Sequence, residues 1–146
     1  MVKILNMKID NLLLDNLTAQ AKESPRLRMN LDLRNSDADS SQRMLNAIEP
    51  GSVVPIHRHQ KTSEAMVVLR GRVVEEYYSS AGVLEASYEL AAGGPVFALN
   101  IPAGQWHTLR ALESGTVILE MKDGAYEPIG AEDVMDVFKR ESLQGK

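Results

Sequence analysis

Three histidines are the entire imidazole supply of this 146-residue chain, and two of them stand one residue apart, as His57 and His59. Residues 53–57 read as a strand. In an extended chain residues i and i+2 project to the same side, so both rings can converge on one point. Neutral imidazole nitrogens bind a divalent ion such as zinc at about 2.0–2.1 Å, and the remaining ligands must come from elsewhere in the fold. Glu64 and His107 are the natural suppliers. A lone histidine is ordinarily a surface or core residue, but these residues are not isolated. Gly51, His57, His59, Glu64 and Gly71 form one spaced set, and Pro102, Gly104 and His107 a second. On the chain's own composition the first set should arise by chance in about one such chain in 10⁵. There is no cysteine, which removes thiolate cages, disulfides and thiol nucleophiles.

The elements that must position these residues are legible from periodicity. Over residues 9–24 Leu13, Leu14, Leu17 and Ala21 recur at helical spacing, with Asp10 as N-cap and Ile9 placed to staple onto Leu14; Ser24-Pro25 ends that helix. The clearest strand follows, in which Leu27, Met29, Leu31 and Leu33 alternate with Arg26, Arg28, Asn30, Asp32 and Arg34, so its polar face is either wet or lines a polar pocket. After a loop rich in Asn, Asp and Ser, short strands are predicted at 43–48, 53–57, 65–69, 72–78, 84–90, 96–101, 107–111 and 116–121, with Gly or Pro in nearly every gap. An amphipathic stretch near 131–141 predicts a closing helix. Many short strands with terminal helices read as a β-sandwich or barrel. The expected division is a helical extension over 1–25, a β-barrel over 26–128 and a helical tail over 129–146.

Net charge is −4 with acids and bases interspersed, and no Lys/Arg stripe interleaves with aromatics, so nucleic acid is not the expected partner. Lys3, Lys8, Asp10 and Asp15 interrupt the first sixteen residues, which therefore lack the apolar run of a signal peptide. No segment is long and apolar enough to span a bilayer. With cysteine absent, these features favour the cytoplasm. A small-molecule ligand is the expected partner, and a homodimer is compatible with the reading.

The two spaced sets resemble those of the cupin family. The resemblance implies a jelly-roll (double-stranded β-helix) barrel, all-β apart from short terminal helices, in which His57, His59, Glu64 and His107 line the barrel mouth around one divalent metal ion, Zn, Fe, Mn or Ni. Gly51 and Gly71 would permit sharp turns at strand ends, and Pro102 and Gly104 would shape the bend that presents His107. The second set departs from the family pattern. Val96 stands where a glycine usually opens it, with Gly93 and Gly94 slightly earlier, and Ala111 replaces a usual asparagine, which implies a longer loop and altered hydrogen bonding behind the metal. The runs RMLNAIEPGSVVPIHRH, LRGRVVEEYYSSAGV, IPAGQWHTL and LEMKDGAYEP look like the WbuC-type cupin metalloproteins associated with polysaccharide (O-antigen) gene clusters. The region around Asp32 and Ser41 lacks the extra histidines of that group, and the tail after Pro128 differs from its ending.

Further candidates surround this site. Glu120 interrupts the apolar run Val117-Ile118-Leu119 and, if it faces the cavity rather than solvent, can move a proton, a role that Glu64 shares. Arg28, Arg43 and Tyr126 are candidates to bind an anionic or sugar-like substrate, and Trp106 to roof the site. The expected function is metal-assisted isomerisation or tautomerisation of a small polar carbohydrate-derived substrate. A non-haem iron dioxygenase and a non-catalytic sugar-binding or sensing module are the alternatives.

Overall fold

The computed structural model describes residues 7–135. Helix α1 (Asn11–Glu23) is capped by Asp10, whose carboxylate accepts from the Leu13 N–H, and it is followed by eight strands. These are β1 (Arg28–Asp32), β2 (Ser41–Ile48), β3 (Glu64–Arg70), β4 (Arg72–Tyr78), β5 (Leu84–Ala91), β6 (Ala98–Ile101), β7 (Trp106–Ala111) and β8 (Thr116–Asp123). They form a five-stranded sheet in the order β1-β2-β8-β3-β6 and a three-stranded sheet in the order β5-β4-β7, with every pairing antiparallel. No helix among the described residues is long and apolar enough to cross a membrane.

The strand pattern sorts side chains onto two faces. Ile48, Met66, Val68 and Ile118 of the large sheet meet Val73, Leu90, Leu109 and Ala111 of the small one, closing the space between the sheets with an apolar floor. On the outer face of the large sheet Leu45, Ala47 and Val117 pack under Leu14, Leu17 and Ala21 of α1, with Met29, Leu31 and Leu33 beside them. The apolar half of the β1 alternation thus meets the helix, and its polar half turns inward. Arg70, next to a bulge between β3 and β8, fastens the helix to the sheet through Asp15, Thr18 and the Gly115 carbonyl.

Two expectations change. Residues 53–57 form no regular strand; only His57 pairs, through single bridges to His107 and Val134, because Pro55 lacks the N–H a ladder requires. Where the closing helix is expected to begin, Ala131–Asp133 form a single 3-10 turn; the rest of that stretch, from residue 136 on, lies outside the described residues.

Gly71 turns β3 into β4 at φ +85, and a Cβ there would meet Thr116 Oγ1 and come within 2.8 Å of the Thr116 Cα. Thr116 is itself fully buried, so neither partner can give way. Gly71→Ala is expected to destabilise the fold by at least about 2 kcal/mol, a fall in Tm of about 6 °C read by thermal unfolding.

Candidate metal centre

His57 and His107 are held as a pair by the backbone. The His57 N–H donates to the His107 carbonyl at 3.0 Å and the His107 N–H donates back at 2.8 Å, so a loop residue is stapled to the first turn of β7. Each imidazole also repeats the same local bond. Nδ1 of His57 lies 2.8 Å from the Pro55 carbonyl and Nδ1 of His107 lies 2.8 Å from the Gln105 carbonyl. A carbonyl only accepts, so each ring carries its proton on Nδ1 and turns the Nε2 lone pair inward. His59 is brought alongside by a third backbone bond, in which the Gly104 N–H donates to the His59 carbonyl at 2.7 Å. Gly104 has φ +83, a conformation open to glycine at little cost.

Glu64, the first residue of β3, completes the cluster. One ligand atom from each of His57, His59, Glu64 and His107 lies within 4.8 Å of the others. Glu64 Oε2 is 3.3 Å from His59 Nε2 and 3.6 Å from His107 Nε2, yet it is buried without a hydrogen-bond donor. The inward Nε2 lone pairs of His57 and His107 and the carboxylate of Glu64 are all acceptors, and a cation between them would satisfy them together. Protons fill that need poorly, because burial and the charge of His107 push the His57 imidazole down to about 4. Burial would also push the Glu64 carboxyl up, but hydrogen bonds from His107 and His59 whenever those rings carry a proton on Nε2, together with the Lys122 charge, outweigh it and hold the group below the usual carboxylate range. A divalent ion fits this donor set, with Zn, Fe, Mn and Ni all compatible.

The cluster opens into a cavity of about 280 Å³. Beyond those four residues its walls carry Met44 and Asn46 of β2, Leu109 of β7, Glu120 and Lys122 of β8, Glu75 of β4, Arg28 and Asn30 of β1, and Arg26 just before it. Glu120 therefore faces inward, level with Met44 and Met66, and burial followed by the Glu64 charge pushes its carboxyl up to about 8 against the pull of Lys122. Arg28 lines the cavity as well. Arg43 does not, since it alternates with Met44 and points away to Asp39 and the Ser41 carbonyl. Trp106 alternates with His107 and lies outside the lining under the Arg58 guanidinium, 4.6 Å from the ring centroid; it roofs nothing. Tyr126 is exposed beside Arg34.

Sequence reasoning missed Glu75 and Asn46. Glu75 is fully buried, and neither carboxylate oxygen has a hydrogen-bond partner; Asn46 Oδ1 is likewise buried and unpartnered. Burial, then the charges of Glu64, Glu120 and Glu76, push the Glu75 carboxyl up to about 9. The available signal was register: Glu75 shares its face with Val73, and Asn46 with Ile48.

A family model described as "Domain of unknown function (DUF6016)" matches residues 9–90, from α1 through most of β5. No curated protein matches the chain by sequence. Among solved structures, the capsular polysaccharide assembling protein CapF from Staphylococcus aureus is similar at 20% identity and TM-score 0.56, over 66% of this chain and 26% of that one. A recombinant oxalate oxidase in complex with glycolate is similar at 17% identity and TM-score 0.60, over 75% and 57%. KdgF from Halomonas sp. is similar at 16% identity and TM-score 0.56, over 70% and 84%. This chain thus spans about a quarter of the CapF chain and little more than half of the oxalate oxidase chain. The shared architecture is the cupin jelly-roll barrel.

His59→Ala removes one donor while leaving the His57–His107 staple in place. Metal analysis of the purified variant is expected to show an ion affinity lowered by at least about 100-fold, with the β-sheet circular dichroism unchanged. Glu75 sets a second expectation. Between its ordinary value of 4.5 and about 9 the folded protein holds a proton that the unfolded chain has released, so stability falls as pH rises through that window and is independent of this group below it. Glu75→Gln cannot titrate. Its stability relative to wild type is expected to rise by up to about 1.4 kcal/mol per pH unit in denaturant unfolding compared at about pH 5 and about pH 8.5.

Proposed function

We propose, for a chain that belongs to the DUF6016 family and carries the cupin barrel, that it is a metal-dependent enzyme of the cytoplasm. Its substrate is a small polar carbohydrate-derived molecule, which it isomerises or tautomerises in polysaccharide biosynthesis, as the WbuC-type resemblance suggests. The observation that carries this reading is the placement of an inward-facing carboxyl, Glu120, in the same cavity as a buried His/Glu cluster able to hold a cation. CapF, a capsular polysaccharide assembling protein, offers a compatible context.

His57, His59, His107 and Glu64 would hold the ion, and when bound it supplies a Lewis acid that polarises a carbonyl or hydroxyl oxygen. The protein's own residues do the rest. With an affinity for protons near neutrality, Glu120 can give a proton to one substrate atom and take one from its neighbour, and that return of the proton is what an isomerisation needs. Its tuning comes from burial and from the Glu64 charge, while Lys122 limits the shift so that both protonation states are reachable. Met44 and Leu109 give this exchange an apolar wall.

Glu120→Gln keeps the shape of the side chain and removes the proton. In D₂O, with metal-loaded protein and a panel of neutral, carboxylated and phosphorylated hydroxyaldehydes and ketoses, wild type is expected to exchange a carbon-bound hydrogen for deuterium. Glu120→Gln should slow that exchange by at least about 100-fold at unchanged metal content. Full exchange in Glu120→Gln would move the proton-transfer role to Glu64, and no exchange across the panel by wild type would end the isomerase reading.

A further inference from the structure

The arginines of the described chain fall into two groups. Arg34, Arg43, Arg58, Arg70 and Arg72 each lie within ion-pair distance of an acid. Arg26 and Arg28, both on the cavity, have no such partner among the described residues; nor does Arg110, exposed on the outside of β7. Lys122, also on the cavity, stands opposite Glu64 in register and shares its charge with Glu64 and Glu120. The Arg28 guanidinium is instead held by neutral acceptors. Its Nη1 donates to the Val53 carbonyl at 2.8 Å and to Ser52 Oγ at 3.4 Å, and Ser52 Oγ donates to the Arg26 carbonyl at 2.7 Å. Carbonyl and hydroxyl partners orient the fork without cancelling its charge. The backbone between the two arginines is strained in the same place, with Leu27 at φ +55, a conformation that costs a leucine of order 1 kcal/mol or more and persists where surroundings impose it.

We propose that Arg26 and Arg28, with Lys122, are an anion-recognition pole that holds the carboxylate or phosphate of a hydroxylated, single-sugar-sized ligand, while Asn46 and Glu75 take its hydroxyl groups. The inference takes from the functional reading above only that this cavity is the ligand site. Three observations converge. Unpaired guanidinium groups and an ammonium face a common space and match an anion bidentately or as point charges. Asn46 and Glu75 place three buried oxygens without partners on the same cavity, a state that costs free energy until a ligand supplies hydrogen bonds. Finally, β1 stands three positions from β3 in the sheet order, about 14 Å along the sheet at about 4.8 Å per strand. Side chains reaching in from both sides leave room for one sugar-sized molecule, and a volume of about 280 Å³ lies at the small end of ligand cavities.

The test is calorimetric titration of zinc-loaded protein with D-glucuronate, D-glucose 6-phosphate and D-glucose. At least one charged ligand is expected to bind about tenfold or more tightly than glucose and to weaken with added NaCl; which one prefers the site separates carboxylate from phosphate. Arg28→Gln and Arg26→Gln should each weaken that ligand by about fivefold or more at unchanged metal content, and Arg110→Gln should not. Glucose binding as tightly as both anions overturns the proposal. So does salt-independent binding by wild type, a reading that stands even if an arginine variant fails to fold, and so does the absence of binding by either anion at about 10 mM. The two readings fail separately. Anion binding without deuterium exchange ends the isomerase reading alone, whereas exchange of a carboxylated or phosphorylated substrate at full rate and unchanged KM in Arg26→Gln/Arg28→Gln ends the anion pole alone.

Discussion

Two reciprocal backbone hydrogen bonds between His57 and His107 organise the interior. They join a loop without ladder pairing to the start of β7, and so bring residues fifty positions apart to one point. With each Nδ1 committed to a carbonyl two residues earlier, neither ring can turn its lone pair away without breaking that bond. The loop between them is fixed from a third side, since the Met135 N–H donates to the Ile56 carbonyl and the Arg58 N–H to the Asp133 carbonyl. The site is held by main-chain geometry, which places ligand atoms more firmly than flexible side chains would.

Once that bridge is made, the inner surface divides by height. The floor is apolar from β2 round to β7 and supplies the free energy of burial. Toward the mouth the same strands present carboxyls, an asparagine, imidazoles and cations. These groups gain little for folding, and several are left without partners at a cost. Raised carboxyls at Glu75 and Glu120 and a lowered one at Glu64 sit within one cavity. Environments that drive similar groups apart in this way are typical of sites that handle protons.

Much of this was legible in the amino-acid sequence, for physical reasons. The helix was readable because Leu13, Leu14, Leu17 and Ala21 have one period and Asp10 caps it. In β1 the strict alternation already implied a polar face, and that face lines the cavity. His57, His59, Glu64 and His107, singled out by type and spacing, are the residues the fold brings within 4.8 Å. Glu75 and Asn46 were hidden because β2 and β4 bury residues on both faces, where period two carries no polarity contrast. Arg43 and Trp106 each neighbour a cavity-lining residue in sequence, and strand alternation turns both to the opposite face. The loop over residues 53–57 looked like a strand because Val53, Val54 and Ile56 favour one, while Pro55 forbids the pairing.

Strand β2 has one more consequence. It is buried on both sides, with Leu45 and Ala47 under the helix and Met44, Asn46 and Ile48 facing inward. Because the two sets alternate on one backbone, ligand selectivity and scaffold integrity are written in the same eight residues without sharing a single side chain. Changes at Met44 or Asn46 can reshape what the protein accepts while the helix-facing positions keep their packing. An engineer redesigning the pocket would therefore begin at these two positions, which lie away from the imidazoles in sequence and leave the bridge between His57 and His107 untouched.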